Sequence, residues 1–280
     1  MTELRPLRDV IARHDLGAKK ALGQHFLLDL NITRKIARAA AITPGDLVLE
    51  IGPGPGGLTR ALLEAGAEVI AIERDARCIA ALEEVGLAHP NRLTLINDDA
   101  LRTDDRALAG KRRVKIVANL PYNISTELLI KWLRENHSGA APLWLCMVLM
   151  FQKEVADRIL AAPGSKTYGR LSVIAKAASV PARAFDLPPR AFTPPPKVSS
   201  SVVVFQPVEC ALPDIAALER VTQAAFGQRR KMLRTSLKPV FGNGLADALS
   251  AAGVSETARA EELTVSSFKA LAEYHSARAS

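Results

Sequence analysis

The 280-residue sequence is poor in cysteine: Cys78, Cys146 and Cys210 stand far apart, odd in number and without CxxC spacing. Such a set excludes a disulfide framework and a cysteine zinc site, and leaves core packing as their role. The five histidines are equally dispersed, with no HExxH or paired-ligand pattern, so no metal is expected. Long apolar runs are missing too. The longest nearly uninterrupted one, "PLWLCMVLMF" at 142–151, falls well short of the roughly 20 residues that cross a bilayer. The charged start "MTELRPLRDV" has no signal-peptide h-region, so the expected location is the cytoplasm, with no membrane partner. A hydrophobic content of 48% is ample for a core, and the length suits one good-sized domain plus a smaller one.

Acids are absent from one whole stretch. Between Glu219 and Asp247 there is none, and this stretch carries "RRKMLRTSLK" at 229–238. A second basic cluster, "KRRVK", lies at 111–115, and the chain as a whole has a net charge of +8 and a pI near 9.6. Agreement between clusters and total charge points to a polyanion partner rather than to solvated helix faces.

After a basic N-terminus read as flexible, "NITRKIARAA" has helical apolar spacing and "TPGD" at 43–46 is a turn. Strand and helix then alternate. "LVLEIG", "EVIAIE", "LTLIN", "KIVANL" and "LWLCMVLM" are short, nearly continuous apolar strands, with helical segments such as "GLTRALLEAG" and "STELLIKWLREN" between them. That rhythm predicts a parallel sheet covered by helices on both faces. Helices at about 153–161 and around "GRLSVIAKAASV" come next, then two extended pieces separated by "PPRAFTPPPK". Beyond Pro213 only helices are expected. The organisation is therefore an α/β catalytic domain over residues 1–208 and a small all-α domain over 209–280, without internal repeats.

"LEIGPGPGGLTRALLEAG" joins the first of these strands to a helix through Gly52, Gly54, Gly56 and Gly57. Glycines at a strand's carboxyl end let the backbone approach a ligand closely. Glu73 ends the next strand, where a carboxylate accepts both hydroxyl hydrogens of a ribose. A dinucleotide and S-adenosylmethionine share that half, so the feature serves either. In "INDDAL" an acid sits where an adenine amino group could be read, and Glu50, Glu73 and Asp98 or Asp99 make the pocket acidic. Acidity disfavours a pyrophosphate and suits a sulfonium cation.

With the fourth strand the pattern becomes specific. "GQHFLLD", "LEIGPGPGGLT", "NLPYNIS", "MFQKEVADRI", "YGRLSV", "FTPPPKVSSSVV" and "FGQRRKMLRTSL" occur in one order between about residues 19 and 240. In this the chain resembles the ribosomal RNA adenine N6-dimethyltransferase family, most closely its small-subunit branch, the kasugamycin-sensitivity methyltransferases. The resemblance implies a Rossmann-like class I methyltransferase with a mostly parallel seven-stranded sheet and a small all-α C-terminal domain. It further implies a monomer that uses S-adenosyl-L-methionine to dimethylate two adjacent adenosines in the 3′-terminal hairpin of 16S rRNA in the small ribosomal subunit. Cofactor contacts would then fall on His25, Leu27, Gly52, Gly54, Glu73, Asp99 and Asn119, with Asp98 the alternative to Asp99. Three positions depart from the family pattern: His25 stands where many members have Asn, Pro55 where Leu is frequent, and Ser199 where an Asp usually follows "PPPKV".

"NLPY" offers an amide and an aromatic ring where a catalytic base would be sought. An adenine amine is a poor nucleophile, yet it needs no prior deprotonation, because the ammonium-like product loses its proton readily. The site must instead hold the two N–H groups on acceptors and aim the lone pair. Asn119 Oδ1 and the Leu120 carbonyl supply those acceptors, Pro121 fixes the backbone, Tyr122 stacks on the base, and by resemblance Phe192 covers its other face. RNA contact is assigned to Arg229, Arg230, Lys231, Arg234 and Lys238, with Lys19, Lys20, Lys111, Arg112 and Arg113 as a second set. The competing readings are an RNA-binding assembly factor whose methylation is secondary, and the large-subunit methyltransferase branch of macrolide resistance. "FTPPPKV" and "FGQRRKMLRTSL" speak against the latter. A dehydrogenase is weakest, lacking evident hydride-transfer residues.

Overall fold

The computed structural model describes residues 4–17, 24–137, 141–208 and 214–279; Lys19, Lys20 and Cys210 lie outside the described residues. The chain divides into two compact units. The first comprises residues 1–131, 143–153 and 182–205, and the second comprises 132–142, 154–181 and 206–280. The last passage into the second unit, at Gln206, lies close to the boundary expected at 208, but that unit also gathers two earlier segments.

The N-terminus read as flexible carries a helix, α1 (Leu7–Arg13). Leu7 and Val10, three residues apart and so on one helix face, are buried, and Val10 and Leu16 pack with Cys78, Ala81 and Leu82. Then come β1 (Phe26–Leu27), α2 (Leu30–Ala39), β2 (Leu47–Ile51), α3 (Gly57–Glu64), β3 (Glu68–Ile72), α4 (Ala76–Ala88), β4 (Leu93–Ile96), α5 (Asp105–Ala109), β5 (Val114–Ala118), α6 (Ser125–Glu135) and β6 (Trp144–Gln152). The helices α7 (Lys153–Leu160) and α8 (Arg170–Ala178) precede β7 (Ser179–Leu187), β8 (Phe192–Thr193) and β9 (Ser200–Pro207). Five helices end the chain: α9 (Ile215–Gly227), α10 (Leu233–Ser236), α11 (Lys238–Phe241), α12 (Leu245–Ala251) and α13 (Val265–Ala279).

Seven strands form one sheet in the order β4-β3-β2-β5-β6-β9-β7. The four pairs from β4 to β6 are parallel, while β9 runs antiparallel to β6. Every residue of β2 is buried. A strand covered on both faces cannot afford polar alternation, which is why these strands read as unbroken apolar runs. Aspartates start the helices between them: the side chains of Asp29, Asp75 and Asp104 accept from backbone N–H groups two or three residues on. Val48, Leu62, Val69, Val117, Val148 and Val202 are among the residues that make the core of this unit.

The second unit has its own core. The rings of Tyr168, Phe226 and Phe268 succeed one another at centroid separations of 6.0 and 5.5 Å, and the Tyr168 hydroxyl donates to the Leu263 carbonyl at 3.0 Å. Burial pushes the Tyr168 phenol up to about 12, so it remains a donor. Arg134 forks onto the buried Glu219 at 2.7–2.9 Å.

Gly57 shows how closely α3 and β1 are fitted: a Cβ there would lie 2.5 Å from the Leu27 carbonyl oxygen, a backbone atom. Gly57→Ala is expected to lower unfolding stability by about 1–3 kcal/mol, as forced overpacking does. Gly227→Ala, with nothing within 4 Å of the new methyl, should stay within about 0.5 kcal/mol of the parent in the same urea titration.

Candidate active site

Sheet topology decides where a ligand fits. From β2 the chain builds outward through β3 to β4 on one side and through β5 to β6 on the other, so the connections diverge between β2 and β5. Leu49 lies beside Ile116 in the register, and three residues further on this brings Gly52 level with Asn119. A cleft enclosing about 1050 Å³, part of it open to solvent, lies at these strand ends. Its walls come from 24–27, the glycine loop, the ends of β3 and β4, and residues 119–124 after β5.

The loop turns through left-handed backbone at Gly52, Gly54 and Gly56. At Gly54 a side chain is excluded on a second ground, since a Cβ would stand 2.9 Å from the Phe26 ring. Glu73 is 5% exposed and receives two backbone donors, Gly54 N–H at 3.0 Å and Asp75 N–H at 2.8 Å, one on each oxygen. Each oxygen keeps a second lone pair for a ligand hydroxyl. Burial raises the Glu73 pKa despite these donors. Glu50 is more extreme: it is 1% exposed, and neither carboxylate oxygen has a hydrogen-bond partner. Burial, with the Glu73 charge adding and nearby Thr59 tempering the effect, pushes it up to about 8. After β4, Asp98 accepts from Asp99 N–H at 2.7 Å, and Asp99 accepts from Leu101 N–H at 3.0 Å. Both line the cleft, Asp99 being the more enclosed. The Asp99 carboxylate also lies 3.5 Å from Arg74, so the cleft is less uniformly acidic than the sequence predicts.

After β5 the Asn119 amide has a defined direction: its Nδ2 donates to the His25 carbonyl at 2.9 Å, leaving Oδ1 as the remaining acceptor. His25 is itself held, with Nδ1 2.8 Å from the Pro194 carbonyl, which can only accept, so that nitrogen carries the proton. The His25 and Tyr122 rings stand 5.4 Å apart at 30°, and the Tyr122 hydroxyl bonds Ser200 Oγ at 2.7 Å. Leu120 is buried and Pro121 packs against the glycine loop, its Cδ 3.6 Å from the point a Gly52 Cβ would occupy. Phe192 does not line the cleft. The β1–β8 pairing sets it opposite Leu27, and at 3% exposure its ring belongs to the core.

The basic residues separate into two kinds. Arg229, Arg230, Lys231, Arg234 and Lys238 are all exposed. Arg229 is engaged, with Glu261 at 2.7 Å and the Lys166 carbonyl at 2.9 Å. In the second set, Arg112 pairs with Glu68 and bonds the Gly45 carbonyl, and Arg113 bonds the Trp144 carbonyl. These residues precede β5, at the opposite end of the strands from the cleft, and serve the sheet. Sequence reasoning missed Gln24, Phe26 and Arg74 as lining residues; the place of Arg74 directly after Glu73 was the available signal. Among the described residues no group of three or more His, Cys, Asp or Glu could hold a metal, and no helix is long and apolar enough to cross a membrane. The raised Glu50 pKa makes folding favour the protonated form. Its contribution is complete below about 4.5 and is lost as pH rises to about 8. Glu50→Gln should therefore exceed the parent in unfolding stability at pH 8 by roughly 1–4 kcal/mol, with the gap narrowing at pH 5, in paired denaturant titrations of the ligand-free protein.

Comparison with known proteins agrees with this geometry. Residues 16–276 match the family model described as ribosomal RNA adenine dimethylase. Ribosomal RNA small subunit methyltransferase A of Xanthobacter autotrophicus is 58% identical over 278 residues, covering 97% of this chain and 94% of the relative. Among solved structures, a dimethyladenosine transferase from Plasmodium falciparum superposes with a TM-score of 0.75 at 30% identity, over 88% of this chain and 96% of that one. The 23S rRNA methyltransferase ErmE superposes with a TM-score of 0.65 at 26% identity, over 89% and 98%. With the family match spanning nearly its whole length and the strand-end cleft in place, the chain belongs to the ribosomal RNA adenine dimethylase family.

Proposed function

We propose that this protein uses S-adenosyl-L-methionine to dimethylate N6 of two adjacent adenosines in the 3′-terminal hairpin of 16S rRNA, within the small ribosomal subunit or its precursor. The observation that carries this reading is the direction of the Asn119 amide, whose nitrogen is tied to His25 and whose oxygen remains to accept an amine hydrogen. The small-subunit assignment is supported by the 58% identity to a small subunit methyltransferase, against 26% to a 23S rRNA enzyme.

Two features favour the cofactor. Glu73 has lone pairs left for two ribose hydroxyls, and Asp99 lines the cleft as an acceptor that an adenine amine could use. His25, Leu27, Gly52 and Gly54 supply the close backbone walls. When bound, the cofactor supplies an electrophilic methyl group on a sulfonium. The chain's own residues position the nucleophile. Asn119 Oδ1 and the Leu120 carbonyl accept the two N–H groups of the target amine, so the nitrogen turns pyramidal and its lone pair is withdrawn from conjugation with the ring. Tyr122, its hydroxyl fixed by Ser200, holds the base by its ring face, an interaction worth about 1–3 kcal/mol. No side-chain base is needed, because the proton leaves a nitrogen made acidic by methylation. On the second transfer the amine has one N–H left, so a single acceptor holds it.

The helical C-terminal unit supplies the RNA contact in this reading. Arg230, Lys231, Arg234 and Lys238 are exposed and have no side-chain partner among the described residues, which leaves their charge available for phosphates.

Asn119→Ala should lower methyl transfer to small-subunit RNA about 100-fold or more while RNA still binds, read by mass spectrometry of the RNA. Parent-like turnover, or methylation found in 23S rather than 16S rRNA, contradicts the proposal. Neutralising Arg230, Lys231 and Arg234 should flatten the dependence of log affinity on log salt by roughly one unit of slope for each phosphate that the variant no longer neutralises. An unchanged slope removes these residues from the RNA surface.

A further inference from the structure

The cleft is fastened from outside by a pair that does not line it on both sides. Arg77, in the first turn of α4, uses its guanidinium as a fork. Nε and Nη2 reach the two oxygens of Asp75 at 3.0 and 2.6 Å, while Nη1 and Nη2 donate to the backbone carbonyls of Asp15 at 3.0 Å and Gly17 at 3.3 Å. Planar, pre-set donors make such a four-way reach possible for Arg but not for Lys. Asp75 is 6% exposed and makes three further hydrogen bonds. It caps α4 through Arg77 N–H at 3.2 Å, accepts from Gln24 Nε2 at 3.2 Å, and gives its own N–H to Glu73 Oε1 at 2.8 Å. The Arg77 partnership holds the Asp75 carboxyl at about 2, so it is ionised wherever the protein works.

Two of those partners, Gln24 and Glu73, line the cleft. The carbonyls that Arg77 holds belong to residues 15 and 17, and the side chain that Asp75 holds belongs to residue 24, so one ion pair grips the chain on both sides of residues 18–23. Directly after Gln24 stands His25, whose carbonyl fixes the Asn119 amide, and then Phe26, whose ring touches the glycine loop. Upstream, the N-terminal segment is packed through Val10 and Leu16 against Cys78, Ala81 and Leu82 of α4 and tied by His14 to Glu84 at 2.9 Å. A helix cap alone would need only the Asp75 contact to Arg77 N–H. The other contacts of the pair all run to the N-terminal segment or to the rim of the cleft.

We infer that Arg77 and Asp75 are positioning residues that clasp the N-terminal segment to the rim of the cleft and thereby tighten cofactor binding without touching the cofactor. The inference rests on the reading of this cleft as the S-adenosylmethionine site. Coupling of this kind is reciprocal: if the clasp raises cofactor affinity, cofactor must strengthen the docking of the N-terminal segment by the same factor.

The test uses the full-length protein, with S-adenosylhomocysteine as the probe, in isothermal titration calorimetry and hydrogen exchange. Arg77→Ala is expected to raise Kd about 5–20-fold, with the KM for S-adenosylmethionine rising more than kcat falls. Arg77→Lys keeps a charge for Asp75 but not the fork, and should also weaken binding. In the parent, S-adenosylhomocysteine should slow amide exchange across residues 4–17, and Arg77→Ala should abolish that slowing. Affinity within twofold of the parent in both variants, or weakened binding with the slowing retained, overturns the inference, leaving Arg77 only a helix-capping role. A parent that binds no S-adenosylhomocysteine overturns the cofactor reading and this inference with it, which separates the two failures.

Discussion

Parallel strands all leave the sheet at the same end, and their connections must turn aside wherever the strand order reverses. In this protein the reversal lies between β2 and β5. Everything in the cleft depends on that constraint. Gly52 and Asn119 emerge level with each other because the register of β2 and β5 makes them neighbours. Glu73 and Asp99 line up to one side because β3 and β4 are added in parallel on that side. The short β1, paired only with β8, then brings the His25 carbonyl to the Asn119 amide.

Electrostatics inside the cleft are set by burial more than by pairing. Glu50 and Glu73 both have raised pKa values with desolvation as the largest cause, whereas Asp75, two residues beyond Glu73 and outside the cleft wall, is lowered by an arginine. Carboxylates that close to one another separate into a readily protonated group, an intermediate one and a permanently charged one. Each state suits its surroundings: Asp75 faces a guanidinium, Glu73 faces backbone N–H groups, and Glu50 faces no donor in hydrogen-bond geometry.

Much of this was legible in the sequence because strand ends can be counted. An apolar run that stops at Gly52, Glu73, Asn97 or Asn119 announces where the sheet ends, and hence which positions face a ligand. Features made by contact between distant segments were not legible in the same way. The β1–β8 pair is two residues long on each side, too short to leave a period, so neither the burial of Phe192 nor the grip of Pro194 on His25 could be read in advance. The helix α1 hides its apolar side in seven residues among arginines. "KRRVK" looked like a polyanion surface, yet both of its arginines bond backbone carbonyls, one of them also Glu68, and its last lysine bonds Asp46 and the Ala41 carbonyl. Charge clusters alone do not distinguish a cation waiting for phosphate from one already employed.

The bond from Asn119 to the His25 carbonyl gives the amide a polarity that no carboxylate could reproduce. One end of the group must donate and the other must accept, and only a side chain with unlike ends satisfies both neighbours at once. Were an aspartate to arise there by hydrolytic loss of ammonia, two oxygens would face each other across a gap now bridged at 2.9 Å. The strand end and β1 would then repel where they now adhere. Ageing of a single amide would thus separate the segment carrying His25 from the strand carrying its acceptor, and shape and chemistry would be lost together.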